Sequence, residues 1–470
     1  MDTRYFVRLC QQESELKEVL GRVDCNLELA HIAKLNEEKA NTALLFSRIK
    51  DHPNARVLTS LFSHPSRVAL SLGLDKECGI VGIARHLKGS DWKEVEPQEA
   101  SAGPILQNEM KDKKVNLLEF PVPKLFPRDG GRYFGTAAYL ITKDPETSRV
   151  NVGVYRMQLL DNHSLGLMIV KGKDADIMLG KHRHVGKPMP AVACMGGDPL
   201  LFLFGGMPLP YGVSELRTVC GIRGGKLDVV RSDLTGLPIP ADAEIAAEGF
   251  IDPDPKSYRK EGPFGEYTGY YTEGEELRPW LDVKRILHRN DPIFCMATVG
   301  RPIGDNHVLN SVSRTTAIWH GLDATGIPGI QSVYAPPEAG GRFGCIVSVE
   351  QMYPGHSRHA AMGVLATVPG NYGVKWVIVV DSDIDADDLR KVLWAASARF
   401  NPEEGMDVIR RGRSTPLDPA LPADSKYLTS RVVIDATIPF ERKDKPIAVD
   451  LDERLVKRIK KRKRELGLDL

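Results

Sequence analysis

The sequence predicts a mixed α/β (α+β) protein of three parts: an α/β unit, a central antiparallel sheet or barrel, and a second α/β unit that ends in a helix. Three observations predict it. Short apolar strands and amphipathic helices alternate up to about residue 115. From 119 the pattern changes to short β-branched or aromatic runs punctuated by Gly and Pro. From 316 the alternation returns, and Val374-Lys375-Trp376-Val377-Ile378-Val379-Val380 has the composition of a buried strand. The expected domains are 1–118, 119–315 and 316–445, with a terminal helix in 446–470.

In the first unit Ser14 to Leu20 reads as helix, 41–49 (NTALLFSRI) as a buried strand, 54–62 as a second apolar piece and 66–74 as helix. Residues 95–118 are polar, contain Pro97 and Pro104, and read as a connector. Central strands are expected at 137–142, 149–160, 165–170, 190–195, 200–204, 227–230, 281–287 and 293–299. Tight loops are expected at Gly196-Gly197-Asp198-Pro199 and Gly205-Gly206-Met207-Pro208, where a ligand could approach the backbone. In the last unit Asp381, Asp383 and Asp385 are expected to cap a helix over 386–398; no glycine fingerprint accompanies them, so they do not mark a nucleotide site. Residues 450–466 read as an amphipathic helix with an apolar stripe of Leu451, Leu455, Val456 and Ile459. Its basic run 457–464 has no aromatic interleaving and reads as a solvated helix end or a docking arm for another subunit.

Composition narrows the function. The chain has 470 residues, 42% of them hydrophobic and 27% charged, the balance of a multidomain globular enzyme. A net charge of +1 does not suit a nucleic-acid binder. No apolar run approaches the ~20 residues of a membrane helix, and no signal-peptide core follows Met1. Seven scattered cysteines without a C-x-x-C pair fit a reducing compartment, here the cytoplasm.

Two stretches can carry chemistry. Lys260-Glu261-Gly262-Pro263-Phe264-Gly265-Glu266-Tyr267 is a loop shaped by two glycines and a proline. Glutamates on a stiff loop, with Phe264 between them to shed water, suit proton transfer, because an apolar surround raises a carboxyl pKa and a nearby cation lowers it. Taken alone, the loop also reads as a surface turn with two solvated acids. The second stretch, 151–159 (NVGVYRMQL), reads as a strand in which Arg156 lies among apolar residues. An unpaired charge there is costly, so Arg156 requires a carboxylate partner, and the Glu261/Glu266 loop is the most shaped acidic loop in the same unit. Such a cluster can hold a substrate carboxylate, or can be an ion pair that only braces the barrel. Asn151 and Glu215 offer oxygen ligands of the kind Mg²⁺, Mn²⁺ or K⁺ prefer. On an ideal strand Asn151 and Arg156 face opposite sides, so both can meet one ligand only if the strand bends, bulges or begins just after Asn151.

In combination these motifs make the chain resemble, over nearly its whole length, the UbiD-like family of prenylated-flavin-dependent (de)carboxylases. The resemblance is most specific in NVGVYRMQL (151–159), GGMPLPYGVSE (205–215), EGPFGEYTGYY (261–271) and VIVVDSDID (377–385). It implies a central split barrel like that of flavin reductases, and a terminal helix for packing into a homodimer or higher homo-oligomer. It implies prenylated FMN supplied by a flavin prenyltransferase, with the phosphate held through Mn²⁺ and with K⁺ alongside. The implied catalytic set is Arg156, Glu261 and Glu266, and the implied metal ligands are Asn151 and Glu215. The implied cofactor contacts are Asn151, Val154, Tyr155, Arg156, Lys171, Gly205, Gly206, Met207, Pro208, Glu215 and Arg431, with Lys426 as the alternative to Arg431. By position Tyr267 and the loop 304–310, with His307, approach a small aromatic or heteroaromatic acid that loses CO₂.

One departure stands out. The family's third metal ligand is a His about twenty residues after the Asn, where this chain reads LMIVKGK (167–173). Either another group or water completes the metal shell, or Lys171 reaches the phosphate and partly replaces the metal. Decarboxylation at an sp² carbon needs an electron sink that no side chain supplies, so a cofactor must carry that step. Two readings from other classes are an NAD(P)H-linked flavin oxidoreductase and a non-catalytic subunit of a decarboxylase complex.

Overall fold

A computed structural model of the chain describes residues 1–90, 93–422, 427–449 and 451–467. The N-terminal helix Thr3–Gln12 is capped by Asp2, whose side chain accepts from the Tyr5 amide. Ser14 then takes a left-handed φ of 61°, which ends the helix, and the chain leaves as a strand. The expected helix over 14–20 is therefore the strand Leu16–Val19, pairing in parallel with Ala43–Phe46. Arg56–Thr59 follows in the same sheet, and helix Pro65–Leu72 is closed by Gly73 at φ 74°. The fourth strand of this sheet is Ile293–Met296, parallel to Arg56–Thr59. The run 293–299, expected in the central sheet, thus completes the N-terminal one instead.

The central sheet follows the order Tyr133–Gly135, Met157–Asp161, Ser164–Leu167, Trp280–His288, Ala243–Ile251, Met189–Gly196, Ala138–Lys143, Val150–Gly153, with Asn108–Lys111 added against Trp280–His288. Its pairings are antiparallel. Chain geometry dictates its shape. Val150–Gly153 is the last strand of the path and Met157–Asp161 the second, yet only residues 154–156 join them. Six strand spacings across a flat sheet are about 29 Å, whereas four residue steps reach about 14 Å at most. The sheet must curl until its two ends meet, and residues 154–156 lie in the seam. The segment read as one strand over 149–160 is thus two strands with a break at the seam, which removes the parity conflict between Asn151 and Arg156.

The run 200–204 is helix and not strand. Asp198 accepts from the Leu200 amide and Pro199 occupies the first turn, starting helix Pro199–Gly206. It is apolar on all sides because it is buried on all sides. Gly205 and Gly206 are its last residues and not a tight loop.

The C-terminal sheet has the order Ile330–Tyr334, Gly344–Val349, Trp376–Asp381, Leu428–Asp435, Met406–Arg413. Its helix Leu389–Ala398 is capped by Asp388, while Asp381 and Asp383, expected as caps, pair with Arg399. The long helix Asp305–Thr325 packs against helix Gly79–Gly89 of the first unit on one side and helix His356–Ala366 of the last unit on the other. The tail helix is Glu453–Lys461, shorter than expected; Leu451 lies before it, and both Leu451 and Leu455 are exposed. No helix among the described residues is long and apolar enough to cross a membrane. The seven cysteines are free, and all but Cys78 are buried as small core residues.

The closest approach inside the barrel is at Gly249, where a Cβ would lie 1.9 Å from the Asp282 carbonyl oxygen. Gly249→Ala is expected to cost about 1–3 kcal/mol, seen as a lower urea midpoint with an unchanged slope.

Candidate active site at the barrel seam

The seam presents Arg156 between two strands, and the 261–267 loop is built to receive it. Arg156 Nε and Nη2 donate to the two Glu261 oxygens at 2.8 and 2.7 Å, a bidentate pair, while Nη1 donates to Glu266 Oε1 at 2.5 Å. The Phe264 ring lies 5.0 Å from the guanidinium carbon and packs against Tyr133, ring centres 4.5 Å apart. The side chains of Arg156 and Glu266 are 11% and 12% exposed and that of Glu261 is 0%, so these groups are largely shielded from bulk solvent.

Each turn of the loop is tied down. Gln158 Oε1, on the strand that begins just after Arg156, accepts from the Gly262 amide at 2.7 Å. The Tyr133 hydroxyl donates toward the Pro263 carbonyl at 3.2 Å. Asp129 accepts from the Gly265 amide at 3.0 Å, and Thr272 Oγ1 accepts from that of Phe264 at 2.9 Å. The Gly262–Pro263 peptide is cis. Gly130 is required here, because a Cβ would stand 1.9 Å from the Gly262 carbonyl oxygen. Sequence reasoning missed Tyr133, Gln158 and Asp129; of these only Gln158 lies within one of the stretches singled out for chemistry, 151–159.

The electrostatics follow from burial. Desolvation raises the Glu266 pKa, and Arg156 only partly offsets it. For Arg156 burial works against the charge, but the bonds and charges of Glu261 and Glu266 outweigh it and hold the guanidinium well above its usual range. Of its five N–H donors, three are spent on the two glutamates; two on Nη1 and Nη2 carry no bond among the described residues.

The other expected cofactor contacts gather beside the seam. The Val152 amide donates to Glu215 Oε2 at 3.0 Å and the Val154 amide to the Gly205 carbonyl at 2.9 Å, which brings the segments 151–156 and 205–215 together. Asn151 is buried and donates to Thr142 Oγ1 at 3.4 Å. Tyr155 is buried between Asn151 and the Ala175 amide. Met207 is buried, whereas Gly206 and Pro208 are exposed. Burial pushes the Glu215 carboxyl up to about 7, with the Val152 amide opposing.

Three expected residues are placed differently. Lys171 is exposed. Arg431 spends its guanidinium on the Asn371 and Arg413 carbonyls within the C-terminal unit. Lys426 lies outside the described residues. His307 belongs not to a loop but to the first turn of helix Asp305–Thr325; it is fully buried, and its Nε2 donates to the Tyr267 carbonyl at 2.7 Å. Burial lowers its pKa to about 4, so it is neutral and the donor role falls to Nε2–H. The Tyr267 ring stacks on Phe343, 6.2 Å between centres, and lies under Arg342.

Known proteins resemble the chain over most of its length. The 3-octaprenyl-4-hydroxybenzoate carboxy-lyase models match as its N-terminal domain over 7–87, its Rift-related domain over 97–302 and its C-terminal domain over 307–436. The pyrrole-2-carboxylic acid decarboxylase of Pseudomonas aeruginosa is 31% identical over 457 residues, covering 93% of this chain and 91% of the relative. Among solved structures, the UbiD-class enzyme HmfF from Pelotomaculum thermopropionicum in complex with FMN has a TM-score of 0.88 at 25% identity, covering 97% of this chain and 98% of that one. The Sedimentibacter hydroxybenzoicus vanillic acid decarboxylase in open form has a TM-score of 0.88 at 28% identity, covering 99% and 98%.

Removing the guanidinium leaves two adjacent carboxylates without their cation. Arg156→Ala is expected to lose about 3–5 kcal/mol of stability by denaturant unfolding, and adding Glu261→Gln should recover part of it.

Proposed function

The chain belongs to the UbiD family of carboxy-lyases, and on that premise we propose that it catalyses the reversible, non-oxidative decarboxylation of an aromatic or heteroaromatic acid with prenylated FMN as cofactor. The observation that supports this best is the convergence of Arg156, Glu261 and Glu266, distant in sequence, in one buried ion-paired cluster. When bound, the prenylated flavin supplies the electron sink that lets CO₂ leave an sp² carbon. The residues that would hold it are Asn151, Val154, Tyr155 and the 205–207 segment docked against them.

The side chains divide the remaining work. The two unspent N–H groups of Arg156 bind the substrate carboxylate. Glu261, with both oxygens engaged, fixes the plane of the guanidinium. Glu266 shares only one oxygen with Arg156, and burial, which raises its pKa, favours the protonated form that can deliver a proton to the carbon that CO₂ has left. Phe264 and Tyr133 exclude water from that transfer. His307 acts through the Tyr267 carbonyl and is a positioning residue for the loop, not a substrate ligand. In this scheme a flavin prenyltransferase supplies the cofactor, and the chain works in the cytoplasm as a homodimer or larger homo-oligomer. Pyrrole-, furan- and hydroxybenzoate-type acids are the first substrates to test, since relatives carry the names of a pyrrole and a vanillic acid decarboxylase.

The donor set is a poor fit for a divalent metal. Asn151 and Glu215 offer oxygens, but one Glu215 oxygen is taken by the Val152 amide. Among the described residues no group of three His, Cys, Asp or Glu could hold a metal ion. No step is assigned to Mn²⁺ or K⁺.

Coexpression with a flavin prenyltransferase should give a protein with a modified-flavin absorbance that releases CO₂ from at least one such acid. An apoprotein that takes up no flavin, or a loaded protein that oxidises NAD(P)H and releases no CO₂, would refute the assignment. Glu266→Gln is expected to lose about 10²- to 10⁴-fold in turnover while keeping the flavin spectrum. The proton-bearing form of Glu266 exists below its raised pKa and is lost above it. Decarboxylation should therefore weaken as pH rises through that value, and carboxylation, which needs the carboxylate as base, should gain; initial rates in both directions check this.

A further inference from the structure

Resting on that reading, we propose that Asp305, Thr298 and Glu37 are positioning residues for Glu266: a buried acid pair that holds one proton across the Thr298 hydroxyl, keys the first turn of helix Asp305–Thr325 to the N-terminal unit, and so sets the loop that carries the proton donor. Glu37 ends helix Glu28–Glu37 and is buried. Its Oε1 accepts from Ser60 Oγ at 2.8 Å and from Thr298 Oγ1 at 2.5 Å, and Lys34 Nζ lies 2.8 Å from its Oε2. Asp305 opens the long helix and is also buried. Its Oδ1 accepts from the Phe62 amide at 2.7 Å and its Oδ2 from the Thr298 amide at 3.1 Å, with the Thr298 hydroxyl 3.3 Å from Oδ2. Gly304 sits tight against the pair, since a Cβ there would stand 2.7 Å from Thr298 Oγ1 and 3.2 Å from Glu37 Oε2.

One hydroxyl between two carboxylates sets the proton count. Thr298 has a single hydrogen to give and two acids within reach. With both acids ionised, the second faces an oxygen lone pair. A proton on one acid resolves this: that acid donates to Oγ1, and Oγ1–H donates to the other. The local charges agree. Among the described residues the cations beside the pair are Lys34 and Arg67. Arg67 spends its guanidinium on Glu15, Ser63 and the Leu61 and Ser60 carbonyls, and Lys34 also serves the Arg301 and Ile303 carbonyls. Glu15, Glu37 and Asp305 thus set three acids against two cations, while His307 is neutral. Burial raises the pKa of both Glu37 and Asp305, and the Asp305 charge raises that of Glu37 further. The path to the site is short. Asp305 and His307 share one helical turn, and His307 Nε2 donates to the carbonyl of Tyr267, the residue after Glu266. The Glu266 backbone bonds to Tyr270 and Gly269 of its own loop, so the His307 bond ties this end of the loop to the rest of the molecule.

Two measurements test this on the full-length protein. Glu37→Gln is neutral at every pH and keeps the oxygen to which Ser60 and Thr298 donate. A proton held by raised acids stabilises the fold below their pKa, and that stability is lost as pH rises through it. Between about pH 5 and about pH 9 the wild type should therefore lose thermal stability faster than Glu37→Gln, the midpoint difference moving at least about 2 °C in favour of the variant. Glu215 and Asp242, both pushed up to about 7, titrate in both proteins and cancel in the comparison. In the flavin-loaded enzyme Thr298→Val should lower kcat about 10-fold or more, with KM and the flavin spectrum unchanged, and Thr298→Ser should keep kcat within about twofold of the wild type. A Glu37→Gln midpoint that follows pH as the wild type does would overturn the shared proton. Wild-type kcat in Thr298→Val, or equal losses in Thr298→Val and Thr298→Ser, would overturn the positioning role and leave the decarboxylase assignment intact. Should Thr298→Val not fold, the Glu37→Gln midpoints decide the proposal alone. A wild type that releases CO₂ from no acid overturns that assignment and the positioning role with it, whereas the unfolding comparison needs no substrate and judges the shared proton separately.

Discussion

A guanidinium in the seam of a curled sheet is the constraint on which the rest depends. The three-residue link at 154–156 is too short for an open sheet, so the ends must meet, and the meeting point is where a strand can break and turn a charged side chain inward. Once Arg156 is there, desolvation makes a carboxylate partner obligatory. The 261–267 loop supplies two, at different depths. The deeper, Glu261, closes both oxygens on the fork; the shallower, Glu266, offers one and keeps 12% of its side chain exposed. Two acids on one loop thereby acquire different environments and different tasks, which is the usual way a site separates a charge holder from a proton carrier.

That loop is not held by the barrel alone. Gln158, Tyr133 and Asp129 fix one side of it, and His307 fixes the other from the first turn of the helix that joins the N- and C-terminal units. Glu266 is therefore one residue from the carbonyl by which the proton-bearing loop is fastened to a different part of the molecule. That helix is tied to the loop by one hydrogen bond beside Glu266, and to Glu261 only by way of Arg156.

The catalytic cluster was legible in the sequence because its members break local rules: an Arg inside an apolar run, and two acids flanking Gly-Pro-Phe-Gly. Where no rule is broken, the sequence misleads. In Leu16-Lys17-Glu18-Val19 the apolar pair at i, i+3 suits a helix, and only pairing with Ala43–Phe46 makes it a strand. Leu200 to Phe204 is uniformly apolar, so periodicity cannot separate strand from helix, although Asp198-Pro199 was a start signal in plain view. Lys171 and Lys173 lie two residues apart in a segment with no period to orient them.

The strand Ile293–Met296 has a consequence for biosynthesis. It fills the edge beside Arg56–Thr59, so the first unit leaves the ribosome with one side of its sheet unpaired and must wait while the entire barrel is translated. At 5–20 residues per second that delay is on the order of 10–50 s. An unpaired parallel edge is a site for pairing with a wrong chain. Vectorial folding, domain by domain, is closed to this polypeptide, and a nascent chain stalled before residue 293 should depend on chaperones.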